Sequence, residues 1–365
     1  MSRTFGDVKS PPEVLAFLEH QIKVNIENVK QGKPKYSICI WGHRGIGKTD
    51  IVKQLASKGI VKKVVLLPLA QIEEAGDIHG LPVKVKGNER TVTETAPPAW
   101  VPTVDEPGVL LLDDFNRADP RILKACMQLL LDGRTISWEL PSQYTVVATA
   151  NPEEDDYLVT PLDPAMITRM THITMKADVK AWLLWATEAG VDSRVQNFIA
   201  KYPEYLSPED ERTCPRTWAM FADLIKNLQD LKPTNLLKTY SYAAVSEEAA
   251  NAFIMFADGE LEYLIEPEDI CNSYIRSKEI REKVLEAASK NRTDILTTLF
   301  ERLLAYLSVR EITDEIQKNV IALLEEECIP KDIKVVYVNL LSKATEHKKQ
   351  WIVSETLAKQ LAKVV

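Results

Sequence analysis

The chain has 365 residues, which is too long for one ordinary hydrophobic core and predicts two or three domains. Hydrophobic residues make up 45% of it and charged residues 27%, as in soluble globular proteins, and no apolar run reaches the roughly 18 residues that a membrane-spanning helix needs. The net charge of −8 disfavours a protein whose whole surface binds nucleic acid, although it allows a local basic channel.

The N-terminal segment has neither the apolar stretch nor the cleavage site of a secretion signal, so a cytoplasmic protein is expected. The five cysteines are scattered, odd in number and without a CxxC spacing. This pattern argues against a disulfide framework and a zinc site, and it favours a reducing compartment.

In chain order, a helical period over about 12–30 is followed by the buried-strand pattern "YSICIW", a helix from Thr49 to about Ser57 and a second strand, "KKVVLLPLA". "GVLLLDDF" predicts a third strand, "DPRILKACMQLLLDG" a helix with Asp119 as its N-cap, and "YTVVATANP" and "THITMKA" two more strands. Strands that alternate with helices predict an α/β fold with a parallel five-stranded sheet between helices.

Two segments interrupt this alternation. The insertion at about 73–102 alternates like a hairpin around Gly87 and Asn88 and carries Lys84, Lys86 and Arg90, and "RTISWELPSQ" indicates a second hairpin that carries Trp138. Either these segments hold a partner, or the basic residues protect an exposed strand edge and Trp138 packs into the core. The sequence does not choose between the two.

After about Ala177 the pattern becomes helical almost throughout. We therefore predict an α/β core at 1–177, a helical lid at 178–272 and a C-terminal helical extension at 273–365.

A phosphate-binding loop follows the first buried strand, because Gly42, Gly47, Lys48 and Thr49 match the pattern G-x-x-x-x-G-K-[ST] where a helix begins. Its backbone amides and the helix N-terminus suit the phosphates of ATP, Lys48 suits the β- and γ-phosphates, and Thr49 suits Mg²⁺. The predicted nucleotide-binding residues are Gly42, His43, Arg44, Gly45, Ile46, Gly47, Lys48, Thr49 and Asp50.

Two acids, Asp113 and Asp114, end the third strand, at the edge where open α/β sheets bind ligands. We predict that Asp113 is the acid that helps to hold Mg²⁺ and that Asp114 orients or deprotonates the attacking water. The alternative to these roles is that the two acids merely end the strand in solvent.

The motifs "GHRGIGKT", "LLLDDFNRADP", "ATANP", "LDPAMITRM" and "CPRTWAM", in this order, resemble those of the AAA+ ATPases. The "NRA" after the acids and the "GDIHGLP…APPAW" insertion resemble the MoxR group and its dynein-related and phage-type relatives. The resemblance covers about 10–270, and the last ninety or so residues resemble no family that we can name.

The resemblance implies further roles. Asn151 is similar to the sensor-1 residue that positions the attacking water, and Arg169 to the arginine finger that enters the site of a neighbouring subunit. Arg216 is similar to sensor 2 at the start of a lid helix, and Arg117 is a candidate for facing the neighbour's nucleotide. The plainer alternative for Asn151 is a strand-ending asparagine at a turn before Pro152. For Arg169 it is a surface salt bridge at a helix end, and for Arg117 a capping or salt-bridge role.

One residue departs from the family pattern, which has Asp-Glu where this chain has Asp113-Asp114. Because the Asp114 side chain is one methylene shorter than glutamate, either the attacking water shifts toward Asp114, or hydrolysis is slow, or the protein acts partly as a nucleotide-controlled switch.

The resemblance implies a hexameric ring that hydrolyses ATP at subunit boundaries and remodels a protein partner, with a von Willebrand factor A domain as a candidate partner module. Two alternatives remain: a nucleic-acid motor or loader, which the acidic pI disfavours, and a non-hydrolysing scaffold. No membrane partner is expected.

Overall fold

The structure is a computed structural model that describes residues 5–86, 91–153, 158–207, 210–228, 234–259, 265–290 and 292–345. The chain divides into two compact units, residues 1–177 and 178–365. Each unit is described by itself below.

A six-stranded, wholly parallel sheet organises the first unit, in the order β1-β8-β2-β7-β6-β3. Its strands are β1 (Val8–Lys9), β2 (Ser37–Trp41), β3 (Lys63–Pro68), β6 (Gly108–Asp113), β7 (Tyr144–Ala150) and β8 (Met170–Met175). The central strands are buried on both faces, which explains why they read as continuous apolar runs and not as alternating ones. In β2, for example, Cys39 belongs to the core on one face and Ile38 and Ile40 to the core on the other.

The prediction of five strands was therefore wrong by one. The additional strand, β1, pairs with β8 through Val8 opposite Thr174 and Lys9 opposite Met175. A strand of two residues has no readable period, and β1 exists because β8 offers it a free edge.

In its described residues the first unit has six α-helices: α1 (Pro11–Lys30), α2 (Lys48–Ser57), α3 (Gly76–His79), α4 (Pro120–Ala125), α5 (Met127–Asp132) and α6 (Pro164–Ile167). Asp119 caps α4 by accepting a hydrogen bond from the Arg121 amide, as its sequence position predicts. The single helix expected there is divided at Cys126, whose amide is shared between the carbonyls of Ile122 and Leu123.

The insertion forms a separate antiparallel hairpin of β4 (Leu81–Lys86) and β5 (Thr91–Ala96), while the expected turn at Gly87 and Asn88 lies outside the described residues. Directly opposed residues share a face of such a pair. One face carries Leu81, Val83 and Val85, which are 67%, 41% and 36% exposed. The opposite face carries Lys84 and Lys86 opposite threonines, so the hairpin is amphipathic.

The second expected hairpin is a tight turn closed by one antiparallel bridge between Arg134 and Glu139. Trp138 is buried in the core beside Trp100, and its indole N–H donates to the Ile78 carbonyl at 2.8 Å. For Trp138 the structure therefore favours the core-packing alternative. Ile136, in the same turn, is 90% exposed.

The second unit is helical in its described parts. Its helices are α7 (Val179–Ala189), α8 (Ser193–Lys201), α9 (Pro215–Ile225), α10 (Asn235–Ala244), α11 (Glu247–Gly259), α12 (Pro267–Ser273), α13 (Lys278–Ser289), α14 (Thr293–Val309), α15 (Asp314–Glu325) and α16 (Lys331–Thr345). Within this unit α14 packs against both α7 and α8. The division near 272 stays a prediction, and the last predicted helical stretch lies partly outside the described residues.

Across the described residues, no helix combines the length and the apolar character needed to cross a membrane.

Candidate nucleotide-binding site

The loop between β2 and α2 follows the predicted pattern of a phosphate-binding loop. Gly47 caps α2 at φ 95°, in the left-handed region that side chains other than glycine rarely adopt. At Gly42 a Cβ atom would lie 2.5 Å from the Met175 carbonyl oxygen, so only glycine lets the loop pass so close to the end of β8. Both glycines of the motif are thus required by the backbone itself.

Lys48, the first residue of α2, is buried at 7% exposure with its ammonium group turned back toward the loop. Its Nζ donates to the carbonyl oxygens of Gly42 at 2.6 Å and His43 at 2.8 Å and to Asn151 Oδ1 at 3.0 Å. Burial raises the pKa of the nearby Cys39 thiol, and the Lys48 charge partly opposes that shift. A buried cation beside a glycine-rich loop suits an anionic ligand.

Asp113, the last residue of β6, lies next to the start of α2. Its Oδ1 accepts hydrogen bonds from the hydroxyl groups of Thr49 and Thr149, each at 2.7 Å. A hydroxyl and a carboxylate are the hard oxygen donors that Mg²⁺ prefers, so these residues fit the magnesium ion that the sequence predicts. Thr49 and Asp113 would hold it.

Asp114 has φ 51° and ψ 43°, and it is the one residue other than glycine with positive φ in the described part of the chain. This left-handed conformation tolerates Asp better than most side chains, but it still costs free energy and is typical of functional sites. It is held in place because the Asp114 amide donates to Thr149 Oγ1 at 3.0 Å.

Asn151 follows the end of β7 and connects the lysine to the second acid. Its Oδ1 accepts from Lys48, and its Nδ2 donates to Asp114 Oδ1 at 3.2 Å. Five predicted residues from three separate motifs thus meet with Thr149 in one hydrogen-bonded cluster: Lys48, Thr49, Asp113, Asp114 and Asn151.

The remaining loop residues line the predicted site less closely. Ile46 is buried in the core below the loop, and His43 and Asp50 are exposed, with Asp50 3.7 Å from Lys53. Arg44 is half-buried, and Gly45 adopts φ 70°.

Arg117, one of the three predicted arginines, lies at the rim of this cluster. Arg117 is half-exposed, 3.9 Å from Asp114 Oδ2. Arg169, after α6, donates from Nη1 to the Ala165 carbonyl, and its buried Nε has no hydrogen-bond partner. Arg216 is exposed on the first turn of α9, in the helical unit.

Sequence reasoning missed two buried polar residues of the site, Thr149 and Asn116, although both lie inside the motifs already quoted. Thr149 joins the two acids, and Asn116 pairs with the main chain of Asn151. The only available signal was a polar residue within an otherwise apolar strand or turn.

Comparison with known proteins agrees with this geometry. Residues 37–170 match the model of the AAA domain (dynein-related subfamily). An ATP-dependent protease ATP-binding subunit-like protein of Rhodococcus erythropolis is 27% identical over 106 residues, which cover 28% of this chain and 30% of that protein. The chain therefore matches less than a third of that relative's length.

Two solved structures resemble the chain at low identity. The Thermotoga maritima RuvB Holliday junction branch migration motor is 12% identical, with 76% of each chain covered and a TM-score of 0.38. The closed state of Hsp104 with ATPγS and FITC-casein is 16% identical, with 57% of this chain and 40% of that chain covered and a TM-score of 0.34. Such low scores say nothing about what this chain does.

The matched region contains the glycine loop after the central strand β2, the acids at the end of β6 and the asparagine at the end of β7. Residues 37–170 therefore match an AAA domain of the dynein-related subfamily, and they adopt a P-loop AAA+ fold.

Proposed function

We propose that this protein binds ATP with Mg²⁺ and hydrolyses it. The observation that carries the proposal is the position of the Asn151 side chain, between Lys48 Nζ at 3.0 Å and Asp114 Oδ1 at 3.2 Å. Phosphoryl transfer needs a cation for the phosphates and an oriented water close together. Lys48 would supply the first, and Asn151 and Asp114 would orient the second.

The magnesium ion would neutralise the charge that develops on the phosphate oxygens. Lys48 exchanges its present carbonyl partners for phosphate oxygens, while the loop amides and the start of α2 bind the same anion. Asp114 accepts a hydrogen bond from the attacking water or takes up its proton. Its short side chain makes slow turnover part of the proposal.

Arg169 is proposed to act on a neighbouring subunit in a ring, hexameric by resemblance, because a guanidinium matches the charge of a transferring phosphoryl group. Its Nη1 now donates to the Ala165 carbonyl on α6, and the guanidinium would exchange this contact for phosphate oxygens of the neighbour's nucleotide. Arg216 is proposed to contact the γ-phosphate from the lid, and Arg117 to face the boundary between subunits.

The ring is proposed to act on a protein partner in the manner of MoxR-like chaperones, with a von Willebrand factor A domain as a candidate partner module. The exposed apolar face of the β4–β5 hairpin supports a protein over nucleic acid, since Leu81, Val83 and Val85 present hydrocarbon to solvent. Glu94, which pairs with Val83, lies on this apolar face and would repel a phosphate backbone, whereas the exposed Lys84 and Lys86 on the opposite face are the local feature that favours nucleic acid.

Two inactive variants, mixed together, provide the test of a shared site. Lys48→Ala and Arg169→Ala are each expected to lose turnover, and their mixture to recover part of it, because some boundaries then combine an intact loop with an intact Arg169. Lys53→Ala and Arg121→Ala, exposed residues on α2 and α4, serve as matched controls and should retain turnover.

Two outcomes would contradict the proposal. Wild-type protein that binds no ATP would contradict nucleotide use altogether, and a mixture with no recovered turnover would contradict the shared site. Turnover that rises severalfold with DNA, but not with a candidate protein partner, would transfer the proposal to a nucleic-acid motor.

A further inference from the structure

Asn116 lies in the short 3₁₀ turn Phe115–Arg117 and is fully buried. Its Nδ2 donates to the Asn151 carbonyl oxygen at 2.8 Å, and its Oδ1 accepts from the Asn151 amide at 3.0 Å. Each end of the side-chain amide meets a partner of the opposite kind, so the orientation of the group is fixed.

Asn151 needs such a partner because it lies just beyond the sheet. The register of β7 with β2 ends at Ala150 opposite Trp41, and the Ala150 carbonyl accepts from the Gly42 amide. The two main-chain bonds that a neighbouring strand would have given to Asn151 come instead from Asn116.

The Asn116 main chain carries the connection further. The Thr160 amide donates to the Asn116 carbonyl at 2.7 Å, and Thr160 Oγ1 donates to the Ala118 carbonyl at 3.0 Å. The turn after the acids therefore anchors the chain at Thr160.

We infer that Asn116 is a positioning residue that acts through Asn151. By holding the Asn151 main chain, it fixes the distances from the Asn151 side chain to Lys48 and to Asp114. This inference rests on the proposed hydrolysis of ATP. A displacement of about 1 Å at a reacting group can cost on the order of 10²-fold in rate, so the effect should appear in kcat and much less in the KM for ATP.

A matched control exists within the same unit. Asn25 in α1 is equally buried and makes the same two bonds with the Tyr36 main chain, from Nδ2 to the carbonyl and from the amide to Oδ1, each at 2.9 Å. Its Nδ2 also donates to Thr145 Oγ1 at 3.1 Å, so its loss should be at least as costly to stability. Asn25→Ala and Asn116→Ala therefore remove similar bonds from similar surroundings, and only the second lies beside Asn151.

For Asn116→Ala we expect kcat to fall by about 30-fold or more, with KM within about threefold of wild type. Asn25→Ala should lower the melting temperature at least as much and leave kcat within about twofold. The double variant Asn116→Ala/Asn151→Ala should be no slower than Asn151→Ala alone, because residues that act as a unit are not additive.

Equal kcat effects of Asn116→Ala and Asn25→Ala would overturn the inference, as would multiplying effects in the double variant. The isosteric Asn116→Asp keeps the acceptor and loses the donor, and it replaces the alanine variant if that one does not fold. Its kcat is expected to fall by about tenfold or more, because the Asn151 side chain would again be displaced.

A second readout separates this inference from the proposed function. The side-chain NH₂ resonances of Asn151, identified by their absence in Asn151→Ala, should shift in Asn116→Asp and stay unchanged in Asn25→Ala. A wild-type protein without ATP turnover would overturn the proposed function, and the resonances would still decide the inference. Resonances unmoved by Asn116→Asp would overturn it.

Discussion

Thr149 donates its hydroxyl hydrogen to Asp113 Oδ1 over 2.7 Å. The same hydroxyl oxygen accepts from the Asp114 amide at 3.0 Å, so one fully buried side chain fixes the carboxylate of the first acid and the backbone of the second. A methyl group in place of the hydroxyl would leave both groups without this partner.

Thr149→Val is accordingly expected to lower ATP turnover by about tenfold or more and to destabilise the protein by about 1–3 kcal/mol, because a buried amide loses its acceptor. Thr149→Ser keeps the hydroxyl and should restore most of both. Steady-state kinetics and urea unfolding of the three proteins provide the measurement. Equal turnover in the valine and serine variants would contradict the role of the hydroxyl.

The length of the Asp114 side chain provides a second prediction. Asp114→Asn should retain ATP binding and lose turnover by about 100-fold, because amide nitrogen cannot accept a proton. Asp114→Glu should raise turnover above wild type by lengthening the reach of the carboxylate. Filter binding of labelled ATP and phosphate release measure the two properties separately. A glutamate variant no faster than wild type would show that side-chain length does not limit the rate.

The stability of the helical unit depends on one buried charged side chain, Arg302 on α14. Its guanidinium, 4% exposed, donates to Asn197 Oδ1 on α8 and to Glu266 Oε2, each at 2.7 Å. Arg302→Ala should cost about 2–5 kcal/mol of unfolding free energy, since it leaves a hole between helices and deprives Asn197 and the partly exposed Glu266 of their partner. Arg276→Ala, which breaks an exposed pair with Glu315, should cost at most about 1 kcal/mol.

Chemical denaturation of both arginine variants compares the two costs directly. If Arg302→Ala were as mild as Arg276→Ala, the junction between α14 and α8 would not depend on the buried guanidinium.

Glu301, also on α14, predicts a dependence on pH. Burial raises the pKa of this carboxyl group above its ordinary value of 4.5, and the positive charge of Lys180 opposes the shift only in part. The ionised form is thus less favourable in the folded protein, so Glu301 lowers stability at neutral pH. This loss disappears as the pH falls through the raised pKa.

Glu301→Gln should therefore stabilise the protein at pH 7, and the gain should shrink on acidification toward pH 4. Melting temperatures of wild type and variant across this range measure the difference. The exposed Glu282→Gln serves as control, and a gain from Glu301→Gln that stayed constant with pH would contradict ionisation as its cause.

The sequence was most informative where one short segment carries its own chemistry. The glycine loop, the strand β2 and the Asp119 cap follow from local pattern, because backbone conformation and burial are decided by neighbouring residues. β1 could not be predicted, since its two residues become a strand only through their pairing with β8.

The supporting residues of the site were also beyond prediction. Asn116 and Asn151 are 35 positions apart, and their pairing depends on how the ends of β6 and β7 meet. Trp138 shows the same limit, because its burial requires the carbonyl of Ile78, which lies 60 positions earlier. A single sequence contains no record of such contacts.

The pairing of β1 with β8 also constrains how the chain can be shortened. Phe5 stacks on Trp41 with ring centroids 4.5 Å apart, and the Thr174 hydroxyl donates to the Phe5 carbonyl. A fragment that starts after Lys9 would expose the outer edge of β8 and uncover the ring next to the glycine loop, which invites self-association. Expression fragments should therefore retain Phe5, and a protease cut in this segment should change the fluorescence of Trp41.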